Sequence, residues 1–348
     1  MTSLLSEQQI AQWHELIDAA NHIVITCHRG PDGDAIGSTT ALAAWLQRQG
    51  KEATVVAPNL FPDFLKWVPG ADKILIYDKH EAEVLPTLQQ ADLIIMCDHG
   101  ELGRMAALGD VVRELPAPRI MIDHHLSPEP DIAALAISHP ELSSACEVLM
   151  RMLLELSPQA SAPFTLNEAT SLYTGMMTDT GAFTFASSRP EIFELISILL
   201  SCGVDKDKVY RNVFYTYSPN RMKLMGYLLY VKLEVLKKSH ASIMTFTNAE
   251  RRRFGALNGD TEGFVNLPLQ ILGMKLSVFL REDTEHPVIR VSLRSVDDFP
   301  CNEMAAEFFH GGGHKNAAGG EVVGTMDDAL AITRKAIQKY LPLLKNPS

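Results

Sequence analysis

Four short motifs in the first half of the chain are rich in aspartate and histidine. They are segment 28–34 with His28, Asp32 and Asp34, the triplets Cys97-Asp98-His99 and Asp123-His124-His125, and segment 178–181 with Asp179. Oxygen and imidazole ligands without thiolates suit hard or borderline divalent cations such as Mn²⁺ and Mg²⁺. The sequence therefore predicts a divalent-metal centre built from these side chains.

Taken singly, these side chains have ordinary explanations. One Asp after a strand is most often a helix N-cap, and one His is usually a solvated or hydrogen-bonded side chain. We interpret His22 and His99 in this way. Many carboxylates at successive strand ends would repel one another, however, and bound divalent cations would relieve that repulsion. The number of acidic groups, more than any one of them, favours a metal site.

The first three motifs each follow a short apolar segment that is typical of a buried strand. The predicted strands are His22–Thr26, Ala53–Ala57, Lys73–Tyr77, Leu93–Met96 and Arg119–Ile122. Apolar runs that alternate with helical segments predict an α/β fold with a doubly wound, mainly parallel sheet. Ligands of such sheets bind at the carboxyl ends of the strands. We therefore expect the motifs to meet at one edge of the sheet.

Helix signals position the remaining acidic residues. Capping-box patterns predict helices that begin after Ser6, Ser144 and Thr165. A further helix over 34–49 would begin at Asp34, where the helix dipole favours a negative charge. The helix after Thr165 would run towards Asp179, which places that carboxylate at a helix end.

The sequence becomes rich in β-strand patterns after about residue 230. Predicted elements there are the strands within 233–247, 274–281 and 288–295, a short strand near 321–323, and helices over 302–309 and 327–340. We predict a smaller C-terminal α/β domain with a mixed sheet. The predicted boundaries are 1–190 for a catalytic domain, 191–230 for a helical connector and 231–348 for the second domain, with the active site in the cleft between domains.

Composition limits the classes of partner. The chain of 348 residues is 46% hydrophobic and carries a formal charge of −11, which is unfavourable for binding long duplex DNA because phosphate neutralisation needs a basic surface. Five scattered cysteines argue against a disulfide framework and for a reducing compartment. Apolar runs fall far short of the ~20 residues of a membrane helix, and the N-terminus lacks a signal-peptide pattern. We therefore expect a cytoplasmic protein without a membrane segment.

Segment 28–34 resembles the first motif of the DHH phosphoesterase superfamily, and Asp123-His124-His125 is similar to its naming triplet. Asp98 and Asp179 fall in order as its second and fourth motifs. The glycine-rich segment 311–319 resembles the substrate-binding loop of the associated DHHA1 domain. Within the superfamily, the chain most resembles the group of bifunctional oligoribonucleases and pAp phosphatases, the NrnA-type nanoRNases.

The resemblance implies two cation sites. One would be formed by His28, Asp32 and Asp98, and the other by Asp34, Asp98, His124 and Asp179. Two cations that share a carboxylate can clamp a water and stabilise an in-line displacement at phosphorus. We expect Mn²⁺, with Mg²⁺ and Co²⁺ as alternatives. Asp123 would orient a ligand imidazole, while His125 would face the phosphate or protonate the leaving oxygen.

The resemblance also implies residues that bind the substrate. They are Arg294, Gly312, Gly313, His314 and Lys315. Bare glycine backbone can form an anion nest, and the guanidinium fork of Arg294 suits a terminal phosphate. Arg104 follows the second motif, and its side chain either adds positive charge at the phosphate or is simply solvated.

The implied activity is hydrolysis of short RNA oligonucleotides to mononucleotides, together with removal of the 3′-phosphate from pAp. An alternative is a phosphodiesterase for linear or cyclic dinucleotides such as pApA and c-di-AMP. An alternative from another class is a non-catalytic nucleotide-binding regulatory module, which loss of a metal ligand would signal. Homodimer formation is left open.

Overall fold

Two units make up the chain, Met1–Thr216 and Tyr217–Ser348, and the computed structural model describes residues 3–157, 163–257 and 259–345. The predicted fold class is confirmed, because a parallel sheet occupies the first unit and a mixed sheet occupies the second. Within the described ranges, every helix is too short or too polar to cross a membrane. The predicted boundaries at residues 190 and 230 stay predictions.

The sheet of the first unit contains six parallel strands in the order β3-β2-β1-β4-β5-β6. The strands are β1 (His22–Thr26), β2 (Glu52–Ala57), β3 (Leu75–Ile76), β4 (Leu93–Cys97), β5 (Arg119–Asp123) and β6 (Leu135–Ser138). The strand order reverses between β1 and β4, which is the position where open α/β sheets bind ligands. The first two motifs therefore follow the two strands at this switch point.

The predicted strand over Lys73–Tyr77 is wrong in its extent. A 3₁₀ turn occupies Ala71–Lys73, only Leu75 and Ile76 pair with β2, and a helix begins at Tyr77. An edge strand gains hydrogen bonds on one side only, so little opposes the neighbouring helical turns. The opposite edge strand, β6, is too short for its apolar pattern to be recognised in the sequence.

Helices cover both faces of the parallel sheet. They are α1 (Glu7–Ala19), α2 (Gly33–Arg48), α3 (Tyr77–Gln90), α4 (Ala107–Glu114), α5 (Ala145–Leu156), α6 (Leu166–Asp179), α7 (Pro190–Ser201) and α8 (Lys206–Phe214). The capping boxes at Ser6 and Thr165 are confirmed. Ser144 caps α5, but the Glu147 carboxylate binds Ser143 and Arg189, so the box there is only half formed.

Two glycines allow α2 and α6 to cross at close range. A Cβ atom on Gly37 would lie 2.5 Å from the Ser171 carbonyl oxygen, and one on Gly175 would lie 2.2 Å from Cys146 Sγ. The same Cβ on Gly175 would lie 2.8 Å from Asp34 Oδ1. The crossing therefore sets the space that is left for the Asp34 carboxylate.

The sheet of the second unit has the strand order β11-β12-β10-β9-β8-β7, in which β8 pairs parallel with β9 and the other neighbours pair antiparallel. The strands are β7 (Glu234–Leu236), β8 (Ala241–Phe246), β9 (Leu276–Glu282), β10 (Val288–Ser295), β11 (Gly312–His314) and β12 (Ala317–Val323). The helices are α9 (Pro219–Tyr227), α10 (Asn248–Phe254), α11 (Cys301–Phe308), α12 (Met326–Lys339) and α13 (Leu341–Lys345).

Strict alternation along β10 separates the two faces of this sheet. Ile289, Val291 and Leu293 are buried in a core that includes residues of α11 and α12. Arg290, Ser292 and Arg294 point to the other face and are only half-buried. On β8 and β9 this second face carries the buried side chains of Met244, Phe246 and Phe279, which form an apolar cluster with residues of α9.

Candidate active site

Acidic and imidazole side chains gather at the carboxyl edge of the parallel sheet. His28 comes two residues after β1, Asp98 directly follows β4, and Asp123 is the last residue of β5. Asp179 reaches the same place from the last position of α6. The convergence expected from strand-end positions is present, since parallel strands bring their carboxyl ends to one edge.

Asp98 lies at the centre of this group. Its Oδ2 is 3.2 Å from His28 Nε2, and its Oδ1 is 3.4 Å from His124 Nε2. The residue has a left-handed backbone with φ of 62°. Non-glycine residues adopt this conformation at a cost of about 1–2 kcal/mol, and Asp and Asn tolerate it best. The unfavourable backbone conformation of Asp98 thus positions its carboxylate between the imidazoles of His28 and His124.

Three overlapping triplets each place one potential ligand atom per residue within 4.8 Å of the others. They are His28, Asp32 and Asp98; Asp34, His124 and Asp179; and Asp98, His124 and His125. The first triplet equals one of the expected ligand sets. The second contains three of the four residues expected for the other cation, and the fourth residue, Asp98, is next to His124. The structure therefore brings all six predicted ligands together.

The crowding of carboxylates shifts their proton affinities. Burial and the charge of Asp98 raise the pKa of Asp34 to about 7, while burial and Asp34 raise the pKa of Asp179. Burial alone would lower the pKa of His124, but Asp98, Asp34 and Asp179 raise it to about 10. These shifts show that the site needs positive charge, which protons or bound cations can supply.

Buried carboxylate oxygens without hydrogen-bond partners also indicate that the site needs positive charge. Asp98 Oδ1 and Asp123 Oδ2 are buried and have no hydrogen-bond partner among the described residues. An unsatisfied buried polar group costs about 1–3 kcal/mol, and more if it is charged. The donor set of carboxylate oxygens and imidazole nitrogens fits a hard or borderline divalent cation.

Asp34 is held by a part of the chain that the sequence did not suggest. Its carboxylate accepts hydrogen bonds from the backbone N–H groups of Ala145 at 2.6 Å and Cys146 at 2.9 Å, in the first turn of α5. The unpaired N–H groups of a helix start favour a negative charge. Only the Ser144 cap hints at this contact, and it cannot reveal which carboxylate lies there.

Asp123 contacts a different histidine from the one expected. Its Oδ1 is 2.8 Å from His125 Nδ1, whereas the expected partner was a metal-ligand imidazole. Residues two apart on an extended chain project to the same side, which explains the pairing. Asp123 is fully buried, and His125, against the effect of burial, lowers its pKa. Asp123 is thus placed to fix the orientation of the His125 ring.

His99 is the last residue of the second motif, and Arg104 follows it shortly in the chain. The Arg104 carbonyl accepts a hydrogen bond from Arg29 N at 2.7 Å, whereas its side chain has no hydrogen bond or ion pair within the described ranges. His99 is fully buried, and burial followed by the charge of His28 lowers its pKa to about 4. The His99 ring is therefore uncharged at neutral pH.

The predicted glycine-rich loop in the second unit is instead a β-hairpin. Gly312–His314 forms β11 and pairs with β12. A Cβ on Gly311 would lie 1.8 Å from the Gly319 carbonyl oxygen, and one on Gly313 would lie 2.5 Å from the Ala317 oxygen. Gly312 alone of these glycines faces open space. The pattern thus arises largely from close packing of backbone against backbone.

Arg294 and His314 lie in one row across this sheet. Arg294 pairs with Ala317, which in turn pairs with His314, so all three side chains project to one face. The Arg294 guanidinium donates to the Leu293 carbonyl, and burial lowers its pKa. Lys315 forms an exposed ion pair with Asp298, which contributes little to stability.

This combination of folds and side chains defines a class of hydrolytic phosphoesterases. The model of the DHH family N-terminal domain matches residues 22–176, and the model of the DHHA1 domain matches residues 240–340. The chain therefore belongs to the DHH family of phosphoesterases and carries a DHHA1 domain.

Relatives are similar over most of this chain. The bifunctional oligoribonuclease and PAP phosphatase NrnA of Thermus thermophilus is 29% identical over 320 residues, which are 92% of this chain and 90% of that protein. The cyclic-di-AMP phosphodiesterase PdeA of Listeria monocytogenes is 24% identical over 317 residues, which are 87% of this chain but 45% of that protein.

Solved structures share the fold. An exopolyphosphatase-related protein from Bacteroides fragilis is 45% identical, with a TM-score of 0.95 over 99% of this chain and 100% of that chain. RecJ from Thermus thermophilus, solved in complex with Mn²⁺, has a TM-score of 0.56 at 14% identity, over 99% of this chain and 56% of that chain. At that identity, RecJ shows a likeness of fold alone.

Proposed function

We propose that this chain hydrolyses short oligoribonucleotides to mononucleotides and removes the 3′-phosphate from pAp, using two divalent cations. The observation that carries the proposal is the position of Asp98 between His28 and His124, with further carboxylates on both sides. Such a carboxylate suits a bridge between two cations. Similarity to NrnA along 92% of the chain supports the choice of substrates.

The ligands of the two cations would be the sets His28, Asp32 and Asp98, and Asp34, Asp98, His124 and Asp179. When bound, two such cations supply Lewis-acid activation of water and charge stabilisation at phosphorus. Asp123 keeps His125 in one orientation through the 2.8 Å contact at Nδ1. His125, held in this way, is proposed to face the phosphate or to donate a proton to the leaving oxygen.

Substrate binding is assigned to the sheet face of the second unit. Arg294 presents a guanidinium fork that suits a phosphate. Ala317 lies between Arg294 and His314, and its small methyl group leaves room for a ligand there. Gly312 leaves open space beside them. We propose that Arg294 and His314 hold the substrate away from the ester that is cleaved, with Gly312, Gly313 and Lys315 beside them. Arg104 is proposed to add positive charge at the cleaved phosphate.

A panel of substrates tests this proposal. Purified protein would be given pAp, short RNA, linear pApA, c-di-AMP and inorganic pyrophosphate, each with Mn²⁺ and with chelator. We expect Mn²⁺-dependent release of mononucleotides from short RNA and of phosphate from pAp. Absence of turnover of every substrate would contradict the proposal and favour a non-catalytic nucleotide-binding module.

A second candidate is a phosphodiesterase for linear or cyclic dinucleotides. The similarity to PdeA over 87% of this chain favours it. Faster turnover of c-di-AMP or pApA than of pAp and longer RNA would select this candidate. Use of Mn²⁺ in preference to Mg²⁺ or Co²⁺, a cytoplasmic location and homodimer formation remain predictions.

A further inference from the structure

A second group of cationic side chains lies on the face of the second unit's sheet that carries Arg294. Phe246 pairs with Arg281, Arg281 with Arg290, and Arg290 with Glu321, on the adjacent strands β8, β9, β10 and β12. Directly paired residues project to the same face. The guanidinium carbon of Arg251, from α10, lies 5.3 Å from the centre of the Phe246 ring. Two arginines thus lie close to the same phenyl ring.

Arg251 and Arg281 differ from Arg290 in their partners. Arg290 is neutralised by Asp283 and Glu321, each at 2.7 Å. Arg281 is half-buried and has no side-chain hydrogen bond or ion pair in the described part of the chain, and the buried Nε of Arg251 also has no partner there. Burial and the neighbouring charge of Arg251 lower the pKa of Arg281. An anion between these two groups would satisfy both.

This pair is separate from the row that contains Arg294 and His314. Arg290 and Arg294 are four positions apart on one strand, so the two rows are about 13 Å apart. The row between them contains Ser292, Gly319 and Gly312 on β10, β12 and β11, and it continues with the buried Phe279 and Met244 on β9 and β8. On β10, β12 and β11 the row therefore consists of small residues, over which an extended ligand can lie.

We propose that Arg251 and Arg281 form a second anion site, which binds a phosphate of a short RNA whose other end is held near Arg294. The inference rests on the proposed function and adds a length preference to it. A pentanucleotide reaches both rows, whereas pAp and a dinucleotide reach only one. Removal of either arginine therefore weakens binding of the longer ligand selectively.

Binding measured in chelator tests the site without turnover. Fluorescence anisotropy would compare labelled pentanucleotide and dinucleotide RNA on the whole protein and on Arg251→Gln, Arg281→Gln and Arg252→Gln. Arg252 is an exposed residue of the same helix, so its replacement is a charge-matched control. We expect a loss of about tenfold in pentanucleotide affinity for the first two variants and none for the control. The slope of log affinity against log salt should fall by about 0.7 per lost phosphate contact.

Equal pentanucleotide affinity in Arg281→Gln and Arg252→Gln would overturn the site. Arg281→Lys keeps the charge and should recover part of the affinity, which separates a binding role from a folding defect. A thermal unfolding curve of each variant checks the same point. A second experiment uses inorganic tripolyphosphate as the ligand. If Arg281→Gln weakened the binding of tripolyphosphate but not of RNA, the assignment of RNA as the ligand would be overturned. Turnover by the wild-type enzyme is a separate measurement, so failure of the proposed function is recognised independently.

Discussion

Asp98 has a negative charge and an unusual backbone conformation, and a single substitution can remove the first while keeping the second. Its carboxylate lies between His28 and His124, and its backbone adopts the left-handed conformation. Asn has nearly the same shape and also tolerates this backbone, but it lacks the negative charge.

We predict that Asp98→Asn keeps the fold and abolishes hydrolysis. The loss of a shared metal ligand should reduce kcat by at least about a thousandfold, or ~4 kcal/mol of transition-state stabilisation. Steady-state kinetics and Mn²⁺ binding by calorimetry check this result. Asp110→Asn, on the exposed side of α4, is the matched control. Normal turnover by Asp98→Asn would show that this carboxylate does not bridge two cations.

Asp123 acts on the site through His125. Their 2.8 Å contact predicts that Asp123→Asn lowers kcat by about 10–100-fold while Mn²⁺ affinity stays close to that of the wild type. The pH profile of kcat should change as well, because the substitution removes a buried negative charge 2.8 Å from His125 Nδ1. A large loss of Mn²⁺ affinity would instead indicate that Asp123 is itself a metal ligand.

At the scale of elements, the crossing of α2 and α6 controls the geometry around Asp34. A Cβ on Gly175 would meet both Cys146 Sγ and Asp34 Oδ1. We predict that Gly175→Ala destabilises the protein by about 1–3 kcal/mol through overpacking and also reduces activity. Urea unfolding and initial rates measure the two effects.

Gly226 provides the control for that substitution. It lies in α9, and a Cβ added there would have no atom within 4 Å, so Gly226→Ala should be neutral or stabilising by up to ~1 kcal/mol. If Gly175→Ala and Gly226→Ala had equal stability and activity, the close crossing would have no energetic importance.

The β11–β12 hairpin gives a similar contrast between adjacent glycines. A Cβ on Gly311 would clash with the Gly319 carbonyl oxygen, whereas Gly312 faces open space. We predict that Gly311→Ala lowers the stability of the protein by more than ~1 kcal/mol, and that Gly312→Ala leaves stability unchanged but weakens substrate binding. Chemical denaturation and KM for short RNA distinguish the two variants. Equal unfolding curves would contradict the packing role of Gly311.

The elements that carry the site were largely predictable, because their signals are local. The strands β1, β4 and β5 are short apolar runs, and the acidic motifs follow them directly in the chain. The contact between Asp34 and the start of α5 was not predictable, since it joins residues 111 and 112 positions apart. The hairpin at Gly312 was also missed, because glycine gives no strand signal and its pairing depends on a neighbour already in the sheet.

At the scale of the whole molecule, protons would compete with the proposed metal ions for the same groups. Without metal, the folded state holds extra protons on Asp34, with a pKa of about 7, and on His124, with a pKa of about 10. Both pKa values are raised above those of the unfolded chain, so their stabilising effect is lost as pH rises, between about pH 4 and 7 for Asp34 and between about pH 6.5 and 10 for His124.

We therefore predict that the chelated protein becomes less stable from pH 6 to pH 9. The increase in Tm caused by Mn²⁺ should grow over the same range, because fewer protons then have to be displaced. Thermal unfolding in chelator and in Mn²⁺ at several pH values checks both trends, with Asp98→Asn as the variant in which the Mn²⁺ effect is small. A Tm gain that is independent of pH would contradict this competition.

The left-handed backbone at Asp98 also constrains how such an enzyme can decay during evolution. Asparagine and glycine are the replacements that tolerate this conformation, and both abolish the negative charge. A gene copy released from selection for hydrolysis would therefore keep a folded product most readily with Asn or Gly at this position. Family members with either residue there are expected to be stable pseudoenzymes, in which the parallel sheet persists after the chemistry is lost.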